Sequence, residues 1–418
     1  MPIEYRTCGR QKTNKFAKQT EQTEVNMMTR VLIFTGKGGV GKTSVAAAHA
    51  RNSANEGKKT LIVSTDMAHN LSDIFEVPIG KTIQEITANL YALEIDPNFI
   101  MDEDFPQMKQ ALTNLLASSG MPLGDIGQLS VFPGMDELFS LLKIMDIYEK
   151  GEYERIIMDC APTGETLALL KFPEFLAWYM EKFFPIGKVA MRVLSPISKT
   201  VFKIQLPDKN AMSDIERLYV KLTELQEFMK NRETTSIRLV TMPEKMVVEE
   251  TKRSFMYMNL YDYLVDGVYI NRILPKDMDN PFFSEWIAIQ NEYVDELESV
   301  FDGLPIYKIP WFDTDLNGLS GVDRIDQAIL KEKPVFALHG DLPGQRFEKT
   351  QTGYELKLKL PFIEKGDLKL HESGTDIILK IGNFKRCIPK PSTLRNYVIT
   401  GAKLSEGTLR MTFAEGGI

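Results

Sequence analysis

The sequence predicts an α/β protein, a doubly wound and mostly parallel sheet, followed by a small C-terminal all-β sandwich. Three observations lead there. Short aliphatic and β-branched runs alternate with long helical patterns up to about residue 330. Beyond that point the apolar residues change to a period of two. The chain is also large enough for both units, with 418 residues of which 43% are hydrophobic and 26% charged.

Taken in order, residues 1–28 are polar and aperiodic and read as a disordered tail ending in Met27 and Met28. A strand over 31–35 runs at once into glycines and a small-residue helix over 44–54. Two more strands end at Asp66 and Asp159, and later ones cover 237–241, 267–271 and 306–310. Helical patterns fill 137–150, 167–184, 211–230, 247–264 and 282–301. These elements form one unit over 29–330, and the Pro- and Gly-rich stretch 331–345 reads as a linker. In 346–418, Tyr354, Leu356, Leu358 and Leu360 alternate with charged residues. The pattern returns at Leu368/Leu370, Ile377/Leu379/Ile381 and Leu409/Met411/Phe413, which predicts antiparallel strands in a sandwich.

Composition narrows the partners. A net charge of −7 gives no bulk attraction to nucleic acid or anionic membrane. Three scattered cysteines, Cys8, Cys160 and Cys387, make neither a disulfide scaffold nor a local metal motif, and suit a reducing compartment. No apolar run approaches the ~20 residues of a membrane-spanning helix, and the N-terminus lacks the apolar core of a secretory signal. The expectation is a cytoplasmic protein that is not integral to a membrane.

The chemistry concentrates at Gly36-Lys37-Gly38-Gly39-Val40-Gly41-Lys42-Thr43, with Ser44 following. This fits the phosphate-binding loop G-x-x-x-x-G-K-[ST] between a strand and a helix. Glycines let successive backbone N–H groups turn toward phosphate oxygens, and the helix N-terminus adds its positive dipole end. Lys42 is expected on the β- and γ-phosphates of ATP and the Thr43 hydroxyl on Mg²⁺. The same residues contain G-x-G-x-x-G, and Asp66 stands where a dinucleotide fold keeps its ribose acid. Lys42-Thr43 decides between the two, because a dinucleotide loop has no use for a lysine and a hydroxyl at the helix start.

Lys37, a second lysine inside the loop, resembles the deviant loop of the Min/Par, nitrogenase-iron-protein and arsenite-pump ATPases. That likeness implies a homodimer in which each Lys37 reaches the partner's phosphates, like an arginine finger supplied in trans. Ser64–Phe75 (STDMAHNLSDIF) resembles the first switch of the arsenite-pump and tail-anchored-protein-targeting ATPase family, and Met158–Pro173 (MDCAPTGETLALLKFP) its second. Leu90–Pro97 and Phe132–Glu137 match two further stretches of that family, so the likeness spans 30 to about 330. It implies ATP hydrolysis, with Asp66 orienting the attacking water, Asp159 holding Mg²⁺ through water, and His69, Pro162, Thr163 and Gly164 in the switches. Asn271 would meet adenine, beside the loop of Pro310, Trp311 and Phe312. Met67 and Glu165 depart from the usual proline and histidine.

The same resemblance places an inserted helical subdomain at about 172–235, which in targeting members holds apolar client helices. Here the stretch includes Phe175, Trp178, Met180, Phe183, Met191, Leu194 and Ile197, a client groove or simply the subdomain's own core. No zinc is expected, since Pro281-Phe282-Phe283-Ser284 stands where targeting members carry Cys-x-x-Cys. A metalloid site would need several soft thiolates, and the matched positions supply only Cys160. The C-terminal unit resembles the α-crystallin-type sandwich of small heat-shock proteins; His339, His371, Lys385, Arg386, Lys390 and Arg395 read as surface residues there. The functional expectation is a dimeric ATPase whose nucleotide cycle opens and closes an apolar client-binding subdomain. An arsenite- or antimonite-pump-driving ATPase, and an ATP-gated scaffold or chaperone acting through the β unit, are the alternatives.

Overall fold

In β1 (Arg30–Thr35), Val31 and Ile33 face one layer of helices while Leu32 and Phe34 face the other, and none is more than 1% exposed. A strand apolar on both faces belongs in the middle of a covered parallel sheet. The computed structural model describes residues 29–65, 70–104, 135–160, 223–276, 280–331, 333–337, 346–351, 353–363, 366–372, 376–382, 384–394 and 396–415. Seven further strands join β1: β2 (Thr60–Ser64), β3 (Gln84–Thr87), β4 (Leu90–Glu94), β5 (Arg155–Asp159), β6 (Thr235–Thr241), β7 (Val265–Ile273) and β8 (Ile306–Pro310). Their order is β3-β4-β2-β5-β1-β6-β7-β8, and every pair is parallel except β3 with β4.

Helix α1 (Lys42–Asn55) lies on one face with α2 (Asn70–Phe75) and α7 (Gly318–Ile325). Its alanines, Ala46, Ala47, Ala48 and Ala50, are fully buried and bring its backbone close to the sheet. The other face is covered by α4 (Met135–Lys150), α5 (Lys245–Leu260) and α6 (Pro281–Val300); α3 (Pro97–Asp104) packs beside α4. Residues 223–230 are also helical. α6 starts cleanly, with the Asn280 side chain accepting the Phe282 N–H and Pro281 in the first turn. α5 stops four residues before the sequence pattern does, because Asp262 takes a left-handed turn (φ 67°) after Leu260.

The C-terminal strands are β9 (Arg346–Lys349), β10 (Tyr354–Lys359), β11 (Leu368–Glu372), β12 (Asp376–Ile381), β13 (Phe384–Pro389), β14 (Tyr397–Ser405) and β15 (Thr408–Glu415). They form two antiparallel sheets, β14-β15-β10-β9 and β11-β12-β13. The alternating residues Leu356, Leu358, Leu360, Ile377, Leu379, Ile381, Leu409, Met411 and Phe413 are buried. Arg386 and Lys390, expected at the surface, are buried too: Arg386 lies over the Tyr261 ring, and Lys390 pairs with Glu372 and donates to the Tyr397 carbonyl. The sandwich meets the large sheet's layer at α5: the Phe255 and Phe362 rings are 6.4 Å apart, and the Arg386 guanidinium lies 5.4 Å from the Tyr261 ring.

A polar layer crosses the large sheet. Arg30 and Arg238 both hydrogen-bond the fully buried Asp266, at 2.9 and 2.8 Å, and Arg238 also donates to the Tyr269 hydroxyl at 2.7 Å. That hydroxyl lies 2.7 Å from His49 Nε2. The Val45 carbonyl, 2.8 Å from Nδ1, can only accept, so Nδ1 carries the proton and Nε2 accepts from Tyr269. Burial, then the Arg238 charge, push His49 down to about 3, so the ring is neutral. α1 and β7 are thereby joined beneath the loop between β1 and α1.

Candidate functional site

β1 is central, β2 lies to one side beyond β5, and β6 starts the other half of the sheet. The carboxyl ends of β5, β1, β6 and β7 therefore flank the point where strand order reverses, the usual ligand crevice of such sheets. The phosphate-binding loop fills it. Gly36 touches β6, since a Cβ there would sit 2.1 Å from the Val240 carbonyl oxygen. Gly39 and Gly41 adopt φ of 81° and 93°, which other residues rarely take, and with Gly38 they turn the chain into α1. Val40 is fully buried and Ser44 continues the helix.

The side chains then diverge. Lys42 is 7% exposed and its ammonium donates to the loop's own Lys37 carbonyl at 3.3 Å, so it folds over the loop. Lys37 points away, its ammonium 3.8 Å from a Glu250 carboxylate oxygen on α5, with both side chains about a third exposed at 38% and 30%. At the helix start the Thr43 hydroxyl donates to Asp159 Oδ2 at 2.7 Å, and Asp159 is buried at the end of β5. A hydroxyl and a carboxylate held together there fit Mg²⁺, which keeps several waters and takes its other oxygens from phosphate.

Two further placements concern residues expected to meet the base. The Asn271 amide donates to the Val40 carbonyl at 2.8 Å, which seats it against the loop. Trp311 is 56% exposed beside Pro310, and its backbone N–H donates to the Ile273 carbonyl at 2.8 Å, fixing that segment next to β7. Asp66, His69, Pro162, Thr163 and Gly164 lie outside the described residues, as do Phe175, Trp178, Met180, Phe183, Met191, Leu194 and Ile197.

Sequence reasoning passed over two residues, one holding α2 and one beside the loop. Glu94, at the end of β4, accepts the Leu71 and Ser72 N–H groups at 3.1 Å and so anchors the start of α2, which forms the second half of the first switch stretch. Its signal was present, since it sits inside Leu90–Pro97, one of the stretches already singled out. Glu250 carries no such signal; in the run Glu249-Glu250-Thr251-Lys252-Arg253 it reads as ordinary helix surface.

The profile of a family described as anion-transporting ATPases matches residues 29–331, and that of an HSP20-like domain found in ArsA matches 351–413. A Chlorobaculum tepidum protein provisionally named an arsenical pump-driving ATPase is 34% identical over 368 residues, covering 87% of this chain and 91% of the relative. An Aquifex aeolicus protein of like name is 32% identical, covering 90% and 98%. The ATPase GET3C of Arabidopsis thaliana is 29% identical, covering 74% and 84%. With the phosphate-binding loop at the switch point of the sheet, these likenesses establish that the chain belongs to the anion-transporting ATPase family and is an ATPase, with an HSP20-like domain after the catalytic unit.

Proposed function

We propose that the protein is a cytoplasmic homodimer that hydrolyses Mg·ATP, and that its nucleotide cycle opens and closes an apolar client-binding subdomain at about 172–235. The observation that carries the dimer is the divergence of the two loop lysines. Lys42 is folded over its own loop, whereas Lys37 stands on a weak pair with Glu250 in which both side chains are about a third exposed. Exposed pairs are worth at most ~1 kcal/mol, so a second copy's phosphate can take the lysine over.

In this reading Lys42 neutralises the β- and γ-phosphates, Thr43 ligates Mg²⁺ and Asp159 holds it through water. Mg²⁺ would supply charge neutralisation at the phosphates. Asp66 orients the attacking water, and the partner's copy of Lys37 stabilises charge as the phosphoryl group transfers. Asn271 and the Pro310–Trp311 segment receive the base. The apolar residues from Phe175 to Ile197 receive a hydrophobic helix, while nucleic acid and zinc have no part.

Relatives named for arsenical pumps favour a second reading, metalloid-driven hydrolysis. Cys160 is buried at the end of β5 and Cys387 lies on β13 of the sandwich, in different domains. The test uses full-length protein trapped with ATP by Asp66→Asn. The client reading expects it to retain a hydrophobic transmembrane segment, with arsenite leaving the parental ATPase rate unchanged. Several-fold stimulation by arsenite that is lost in Cys160→Ser, with no segment retained, would replace it with the metalloid reading.

A further inference from the structure

We propose that Asn271 is a positioning residue for the phosphate-binding loop, so that one amide couples the base end of the nucleotide to its phosphate end. The proposal rests on the nucleotide site described above and adds a task for Asn271 beyond meeting adenine. Its Nδ2 donates to the Val40 carbonyl at 2.8 Å, and its Oδ1 accepts the Arg272 N–H at 2.8 Å. Both contacts require the same orientation of the amide, since the flipped form would set oxygen against oxygen and N–H against N–H. Arg272 itself turns left-handed there, with φ 57°.

The fit is close on the loop side as well. A Cβ on Gly41 would lie 2.3 Å from Asn271 Nδ2, so the loop's last glycine leaves room for this side chain as well as for its own φ. Gly36 is pressed in the same way against β6. The loop is therefore held at both ends by strand termini, and at the β7 end by a single side chain. Glycine at 36, 38, 39 and 41 gives the free chain much conformational freedom, so holding it before phosphate arrives lowers the ordering cost of binding.

An amide has two N–H donors and two acceptor lone pairs on its oxygen. Asn271 commits one of each to the protein and keeps one of each, the set that matches adenine N7 and N6. Base contact and loop contact thus coexist, and whatever steadies the amide at one end steadies the Val40 carbonyl at the other.

Calorimetry with the full-length protein and Mg²⁺ tests this, using ATP, GTP and inorganic tripolyphosphate, which has no base. Asn271→Ala is expected to weaken tripolyphosphate binding about fivefold, as loss of one neutral hydrogen bond implies, and to reduce the preference for ATP over GTP. Asn271→Asp sets a carboxylate against the Val40 carbonyl, and protonation restores a donor. With an ordinary carboxylate value of about 3.9, its tripolyphosphate affinity relative to the unsubstituted protein therefore recovers only as pH falls from about 6 to about 4. Unchanged tripolyphosphate binding in Asn271→Ala, with only the ATP preference lost, would overturn the proposal. A pH-independent ratio for Asn271→Asp would do the same, and that comparison decides if the alanine variant does not fold. Unsubstituted protein that bound neither ATP nor tripolyphosphate would instead strike at the nucleotide site itself.

Discussion

Under the proposed function, single side chains divide into those that meet phosphate and those that hold the fold beneath it. Lys42 is already bent over the loop, and its removal leaves the phosphates without a counter-charge. Lys42→Ala is therefore expected to abolish nucleotide binding, read by calorimetry. Asp66→Asn should keep binding and lose about 10²-fold in turnover, as for a group that orients water; parental turnover would remove Asp66 from that role. Beneath the loop, His49 is buried and neutral, held down to about 3 against an ordinary 6.5. A base whose folded value is depressed stabilises the fold fully above its unfolded value and loses that stability as pH falls toward the folded one. Between about pH 6.5 and 3, each unit is expected to cost up to about 1.4 kcal/mol. Denaturant midpoints should fall over that window, and His49→Gln should flatten the fall.

Among the elements, β6 and β7 carry the buried pair on which the sheet's polar layer turns. Asp266→Ala would leave Arg30 and Arg238 facing each other without a carboxylate, which should cost about 3–5 kcal/mol of stability. Chemical unfolding measures it. Such charges in strand interiors ran against the apolar pattern, and that pattern was the signal used to find the strands. β8 was legible to the residue, and β1, β6 and β7 to within two residues at either end, because continuous aliphatic runs mark them. β3 escaped the reading: it is an edge strand whose first two residues are exposed, with no alternation to follow. In the sandwich, β10, β11, β12 and β15 announced themselves by alternation, while β9, β13 and β14 did not. The phosphate-binding loop was fully legible, since its geometry is dictated by residue type. Its contacts with Asn271 and Glu250 were not, because they depend on which strand end and which helix lie next to it, information carried by the sheet order.

At the scale of the whole molecule, α5 is the shared element, with Glu250 beside Lys37 and Phe255 against the sandwich. Under the dimer reading, Glu250→Gln loosens the resting hold on Lys37. ATP-dependent association should then occur at a few-fold lower protein concentration, as expected for a surface pair of up to ~1 kcal/mol. Sedimentation reads this, and the effect should vanish when Lys37→Ala is already present. The claim that Lys37 works on the partner's nucleotide is tested most directly by mixing two inactive proteins. Lys37→Ala retains the water-orienting Asp66, and Asp66→Asn retains Lys37, so a mixed dimer holds one complete site. Equal mixing followed by exchange is predicted to restore roughly a quarter of the parental ATPase rate, half the dimers being mixed with one complete site of two. A mixture no more active than the two proteins measured apart would contradict the account.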